Sequence, residues 1–328
     1  MSRSALTGLP LSRSAVDRDH LSRSRPALFD ELWEEPNTRI LPIWKGLALV
    51  RDAAGSKKTV LSLLPVADVT SGLVRVYLGR TLAPEASVEA GSAIVAQVLT
   101  DAAAAELEPD TSRWVNLRVA AQSLSDLDAG LFTEALAITN WHASHTHCPR
   151  CGNPTIVEQG GWVRRCISDG TEIFPRTDPA VIVSVLDRAG RILLGSNAMW
   201  ENNRYSLLAG FVEPGESFEA AVAREIHEEA GVRVENPEYL GSQPWPFPAS
   251  VMVGFTAQLT QDQDPEALMP DGEEILALRW FSRQELWEER ERVLLPGGSS
   301  IARAIVEDWY GGPLDAPPSS EETARHRE

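Results

Sequence analysis

At 328 residues with 43% hydrophobic side chains, the chain is long enough for two domains with buried cores. A formal net charge of −17, with no lysine or arginine cluster to offset it, argues against DNA and against binding along the length of an RNA strand. No apolar run reaches the roughly 18 to 20 residues that cross a bilayer, residues 1–20 lack the apolar stretch of a secretion signal, and three cysteines cannot build a disulfide framework. A reducing cytoplasm and no membrane association are therefore expected.

Residues 1–26 repeat Ser-Arg-Ser at positions 2, 12 and 22 with few apolar residues, which predicts a flexible lead. Residues 27–142 carry short apolar runs at 40–44, 47–50, 60–64 and 73–77, separated by turn residues, and predict a β-rich domain closed by a helix over 131–142. In residues 143–175, Cys148 and Cys151 stand two residues apart and Cys166 follows after fourteen more. That spacing describes a zinc ribbon, in which knuckles offer soft ligands to a tetrahedral ion, with one ligand of the usual four missing. Residues 176–311 open with two strands between 181 and 194, joined through Asp187 to Gly190.

Gly210 to Val232 reads GFVEPGESFEAAVAREIHEEAGV. Ser217 is a helix cap, Gly231 the residue that follows a helix end, and the helix between them runs to about Ala230. At 3.6 residues per turn Glu225, Glu228 and Glu229 share one face, beside an apolar stripe of Val222, Ile226 and Ala230. Like charges so placed repel, and hard divalent cations, magnesium or manganese, are what neutralise them. Arg224, one turn before Glu228, is placed to fix that carboxylate without capturing the whole cluster. Gly210, Pro214 and Gly215 form a tight loop that brings backbone carbonyls and Glu216 to the same place. A merely solvated acidic face would account for the carboxylates but not for this loop.

Ser242 to Ser250 reads SQPWPFPAS. Prolines at 244, 246 and 248 stiffen the backbone and remove ladder donors, so this ribbon cannot be a central strand, and Trp245 and Phe247 project from it as planes on which bases or nicotinamide stack. Gln243 and Ser250 offer polar groups to a ribose or amide. Packing of the ribbon against a core is the plainer alternative. Farther on, Asp271 to Ile275 presents Glu273 and Glu274, between which spacing does not choose. Residues 282–295 read as a charged helix, 296–302 as a turn into a last helix through Trp309, and the Pro-, Ser- and Glu-rich stretch 312–328 as a disordered tail.

The glutamate-rich segment resembles the Nudix box, without a gap, and SQPWPFPAS resembles the signature of the NADH pyrophosphatase and NAD-capped RNA hydrolase family within the Nudix hydrolases. The resemblance is specific over residues 141–305 and weak before them. It implies an α/β/α sandwich with a mixed sheet, preceded by the zinc ribbon and the β-rich domain. Glu225 and Glu229, the backbone of Ala209 and, outside the box, Glu274 would bind magnesium or manganese. Glu228 would be a further ligand or a base, with Arg224 beside it. Phe211, the ribbon Gln243, Pro244, Trp245, Pro246, Phe247, Pro248, Ala249 and Ser250, and Ala302 would contact substrate, and Tyr205 lies on the approach to Phe211. The implied reaction is attack of water on the pyrophosphate of NADH or NAD+, giving a nicotinamide mononucleotide and AMP, and removal of NAD from the 5′ end of capped RNA. A homodimer with shared substrate contacts is also implied. Two departures stand out. Asp169 occupies the place of the fourth zinc cysteine, leaving Asp169, His147 or His145 as fourth donor, or a hairpin of reduced thiols with no zinc. Phe174 stands where the family often has tyrosine. A broader pyrophosphatase acting on ADP-ribose or diadenosine compounds, and a sensor that binds nucleotide without cleaving it, remain the alternatives.

Overall fold

The structure, a computed structural model, describes residues 6–53, 58–69, 71–85 and 88–318. Its contacts divide the chain into two units. One comprises Leu11–Thr177 with Pro244–Ala249; the other comprises the described residues before Leu11, Asp178–Gln243 and the chain from Ser250 on.

In the first unit a mixed sheet runs in the order Val16–Asp17, Val74–Thr81, Ala93–Val98, Arg39–Trp44, Leu47–Asp52, Thr59–Leu61, and Ala93–Val98 lies parallel to Arg39–Trp44. The helix Asp126–Ser144 packs Leu127, Leu131, Phe132, Ala135 and Trp141 onto Leu41, Ile43, Val76, Leu78, Ile94 and Ala96. Ser125 caps this helix by accepting from the Asp128 amide. Downstream, Thr155–Glu158, Val163–Cys166 and Glu172–Ile173 form a three-stranded antiparallel sheet that carries the cysteine knuckles.

The lead is not free of structure. Val16–Asp17 pairs with Arg80 and Thr81, while Leu9 and Leu11 are buried. The isolated leucines among the serines and arginines, too sparse to form a core of their own, are enough to anchor the segment on cores built elsewhere. The first Ser-Arg-Ser repeat lies outside the described residues.

In the second unit six strands, β1 (Asp178–Leu186), β2 (Ile192–Asn197), β3 (Leu208–Phe211), β4 (Val234–Trp245), β5 (Ser250–Leu259) and β6 (Ile275–Phe281), form a mixed sheet in the order β4-β5-β1-β2-β6, with β3 also paired to β1. β1 is parallel to β5 and antiparallel to β2 and β3. Its unbroken apolar run follows from burial on both faces. Val181, Val183 and Val185 meet Ala221, Val222 and Ile226 of helix α1 (Phe218–Ala230). Ile182, with Ile192, Leu194 and Phe281, meets Leu286 of α2 (Arg283–Glu288) and Ile301, Ile305 and Val306 of α3 (Ile301–Tyr310). Helices on both faces of a mixed sheet make the α/β/α sandwich. β4 is an edge strand, as its prolines require.

α2 is shorter than the expected helix over 282–295. Glu288, Glu289 and Glu291 would gather acid at its negative end, and Glu289 instead pairs with Arg279 of β6 at 2.8 Å. Of the stretch expected to be disordered, Leu314 is buried and bonds through its amide to Glu307, and residues 319–328 lie outside the described residues.

Candidate active site

α1 is held at both ends by the residues its sequence supplies. The Ser217 hydroxyl accepts from the Ala220 amide at 3.1 Å, and Gly231, at φ +69°, donates to the His227 carbonyl at 2.9 Å. The fixed helix sets its carboxylates against the end of β3. Gly210 is required there, because a methyl group on it would lie 2.0 to 2.2 Å from the carboxyl atoms of Glu225.

Arg224 captures more of the cluster than its spacing suggests. Its Nε and Nη2 donate to the two Glu216 oxygens at 2.9 Å each, Nη2 also donates to the Phe211 carbonyl, and Nη1 donates to Glu225 and Glu228 at 2.8 Å each. The loop delivers Glu216 to the guanidinium fork, a contact that helical spacing does not register. Hydrogen bonds from Arg224 hold Glu216 below the usual carboxylate range, and burial moves Glu225 up.

Glu229 differs from its neighbours. It is 5% exposed, and its Oε2 is buried with no hydrogen-bond partner. Burial, followed by the charges of Glu225, Glu274 and Asp271, pushes its carboxyl up to about 8, and a backbone hydrogen bond from Ala209 opposes the rise. A buried carboxylate with an orphan oxygen, facing other acids, is a donor set suited to a hard divalent cation. Glu274, not Glu273, is the downstream acid that acts on Glu229. It is exposed just before β6 and accepts from Asn197 Nδ2 at 3.2 Å. Its loop is shaped by Asp271, whose Oδ1 accepts from the amides of Glu273, Glu274 and Ile275 at 2.8 to 2.9 Å. Asp271 escaped the sequence reading, although an aspartate before glycine is the ordinary sign of a turn held by its own side chain.

The expected substrate contacts divide. Phe211 is 59% exposed at the end of β3. Tyr205 is buried edge-on against Phe281 at 5.8 Å and belongs to the core. Gln243 is fully buried and donates to the Ser299 carbonyl at 3.1 Å, so its amide organises the turn before α3 instead of facing a ribose. Ala302 is also buried, with its amide taken by the Ser300 hydroxyl, because helix capping turns its methyl group into the core. Ser250 and Ala249 are half-buried, and Pro244 and Pro248 are exposed around a buried Pro246. Trp245 and Phe247 are half-buried, edge to face at 4.9 Å, and pack on the core of the amino-terminal unit. The peptide bond Phe247–Pro248 is cis.

In the ribbon, Cys148, Cys151, Cys166 and Asp169 bring their donor atoms within 4.8 Å of one another. Three thiols and a carboxylate at that separation fit a tetrahedral zinc ion. Neither His145 nor His147 joins this cluster. His145 Nδ1 lies 3.2 Å from the Trp141 carbonyl, and His147 Nδ1 lies 2.9 Å from the Thr146 hydroxyl. Phe174 is 60% exposed.

Three family profiles match consecutive stretches: an NADH pyrophosphatase-like rudimentary NUDIX domain over residues 37–141, an NADH pyrophosphatase zinc ribbon domain over 143–174, and a NUDIX domain over 176–300. A protein of Mycobacterium bovis called NAD-capped RNA hydrolase NudC is 45% identical over 213 residues, 62% of this chain and 67% of the relative. Human NAD-capped RNA hydrolase NUDT12 is 34% identical over 200 residues, 57% of this chain and 42% of the human protein. Among solved structures, a NUDIX hydrolase of Nitrosomonas europaea is 27% identical, matches 51% of this chain and 94% of its own, and gives a TM-score of 0.40. With the rudimentary domain, the three-cysteine ribbon and the glutamate helix in that order, the chain belongs to the NADH pyrophosphatase family of the Nudix hydrolases.

Proposed function

We propose that this chain is a pyrophosphohydrolase that cleaves NADH and NAD+ to a nicotinamide mononucleotide and AMP and removes NAD from the 5′ end of capped RNA. The observation that carries the reading is Glu229, a buried acid with an orphan oxygen among Glu225, Glu274 and the Ala209 backbone, in a chain that also bears the SQPWPFPAS ribbon. These four groups would hold magnesium or manganese, which when bound lowers the pKa of a water and shields the phosphate charge. Water adds its oxygen to one phosphorus, the bridging P–O bond breaks, and the bridging oxygen leaves with the other phosphate. Arg224 fixes the rotamers of Glu225 and Glu228, and Glu228, the most exposed of the three box acids, is the candidate to take the proton from the attacking water. Phe211, Trp245 and Phe247 are the ring-binding side chains. Asp169 completes a structural zinc site with Cys148, Cys151 and Cys166. The working form is a cytoplasmic homodimer.

The test is incubation of the purified chain with NADH and manganese or magnesium, following AMP and reduced nicotinamide mononucleotide by chromatography. Equimolar appearance of both supports the reading. Binding of NADH without AMP would make the chain a sensor, and equal turnover of ADP-ribose would make it a general pyrophosphatase.

A further inference from the structure

β2 and β6 pair antiparallel, and their register shifts where β2 ends: Ser196 stands opposite Ala277, but Asn197 stands opposite Ile275. Leu276 is thus the extra residue of a β-bulge, a feature that re-aims the side chains beside it. Burial does not account for the bulge, because Leu276 is 56% exposed. Its effect falls on Glu274. In an unshifted ladder Glu274 would stand opposite Met199. The shift moves it one residue back along β2, where the Ala198 amide donates to the Glu274 carbonyl at 2.8 Å and Asn197 Nδ2 donates to Glu274 Oε1 at 3.2 Å.

Asn197 is itself fixed. Its Oδ1 accepts from the Met199 amide at 2.8 Å, and its carbonyl accepts from the Trp200 amide at 3.1 Å. One side-chain amide therefore directs its acceptor to its own turn and its donor to an acid, which sets the amide orientation. From the other side, the Glu274 amide donates to Asp271 Oδ1 at 2.9 Å. An exposed glutamate without such contacts samples several rotamers, and freezing them on a cation weakens binding. Here the backbone and one carboxylate oxygen of Glu274 are held beforehand, all within the unit that carries the glutamate helix.

We propose that Asn197 is a positioning residue for Glu274: its bond to Oε1 fixes the carboxylate rotamer and leaves Oε2 to bind magnesium or manganese. The inference rests on the metal role given to Glu274 in the hydrolase reading above, and it assigns the β2–β6 bulge a part in holding the cation.

The test titrates manganese into the full-length chain with its ribbon zinc in place, reading the free ion by electron paramagnetic resonance. It compares the wild type, Asn197→Ser, Glu274→Gln and the double variant. Serine keeps a hydroxyl acceptor for the turn but is too short to reach Glu274. Asn197→Ser is expected to weaken manganese binding about ten-fold. In the Glu274→Gln background the same change should matter less than about two-fold, because the group it acts on is gone. In NADH turnover the manganese concentration for half-maximal rate should rise in step while KM for NADH holds. A merely structural role for Asn197 would lower the melting temperature and weaken the metal equally in both backgrounds, and that result overturns the inference. So does wild-type manganese affinity in either single variant. If the wild type binds manganese but releases no AMP from NADH, the hydrolase reading falls and the titration still decides the role of Asn197. If the wild type binds no manganese, both fall.

Discussion

Replacing Glu229 by glutamine keeps the shape of the side chain and removes its charge. In the metal-free protein that carboxyl is pushed from 4.5 up to about 8, mainly by burial. Between those values the folded state holds a proton that the unfolded state has released, so stability falls as the pH rises through the interval, at about 1.4 kcal/mol per pH unit. The full interval corresponds to about 5 kcal/mol, a large part of a typical domain's stability. Urea unfolding without added divalent ions, from pH 5 to pH 9, measures it. The wild type and Glu229→Gln should be similar near pH 5, and the variant should be more stable by up to about 5 kcal/mol at pH 9. Titrating groups that do not act on Glu229 are common to both chains and cancel in the difference. Added manganese should stabilise the wild type increasingly at higher pH, because the cation binds the ionised form, and should do little for the variant, which is expected to lose turnover. Parallel stability curves for the two chains, or full activity in Glu229→Gln, would refute both the burial argument and the assigned metal role.

Gly210→Ala sets a methyl group 2.0 to 2.2 Å from the Glu225 carboxyl and must displace it. A shift of that size should cost about a hundred-fold in kcat with an unchanged circular dichroism spectrum; near-normal turnover would show that Glu225 does not act from this position. The ribbon should carry about one zinc per chain. Asp169→Ala should release that zinc to a chelator at least about ten-fold faster and lower the melting temperature, with cobalt substitution reporting on thiolate ligation. Zinc held as tightly in the variant would remove Asp169 from the ligand set.

Local chemistry carried much of the sandwich and its acidic helix. Ser217 and Gly231 act on groups within one turn of themselves, and the 3.6-residue repeat alone puts Glu225 and Glu229 on one face while Val222 and Ile226 take the neighbouring one. The apolar run of β1 announced a strand. What sequence left open were choices among neighbouring donors. Asp169 stood beside His145 and His147, and Glu274 beside Glu273, and the proximity of Asp169 to the three thiols and the action of Glu274 on Glu229 arise from chain segments that meet only on folding.

Sequence by itself determined the helix, its caps, the edge character of the proline ribbon and the family of the chain, because these depend on residue type and short spacing. Only the tertiary structure decided that Gln243 and Ala302 turn inward, that Arg224 gathers three carboxylates, and that Leu9 and Leu11 anchor the amino-terminal segment. Burial and partner choice are properties of distant residues brought together, and no local pattern encodes the distance between them.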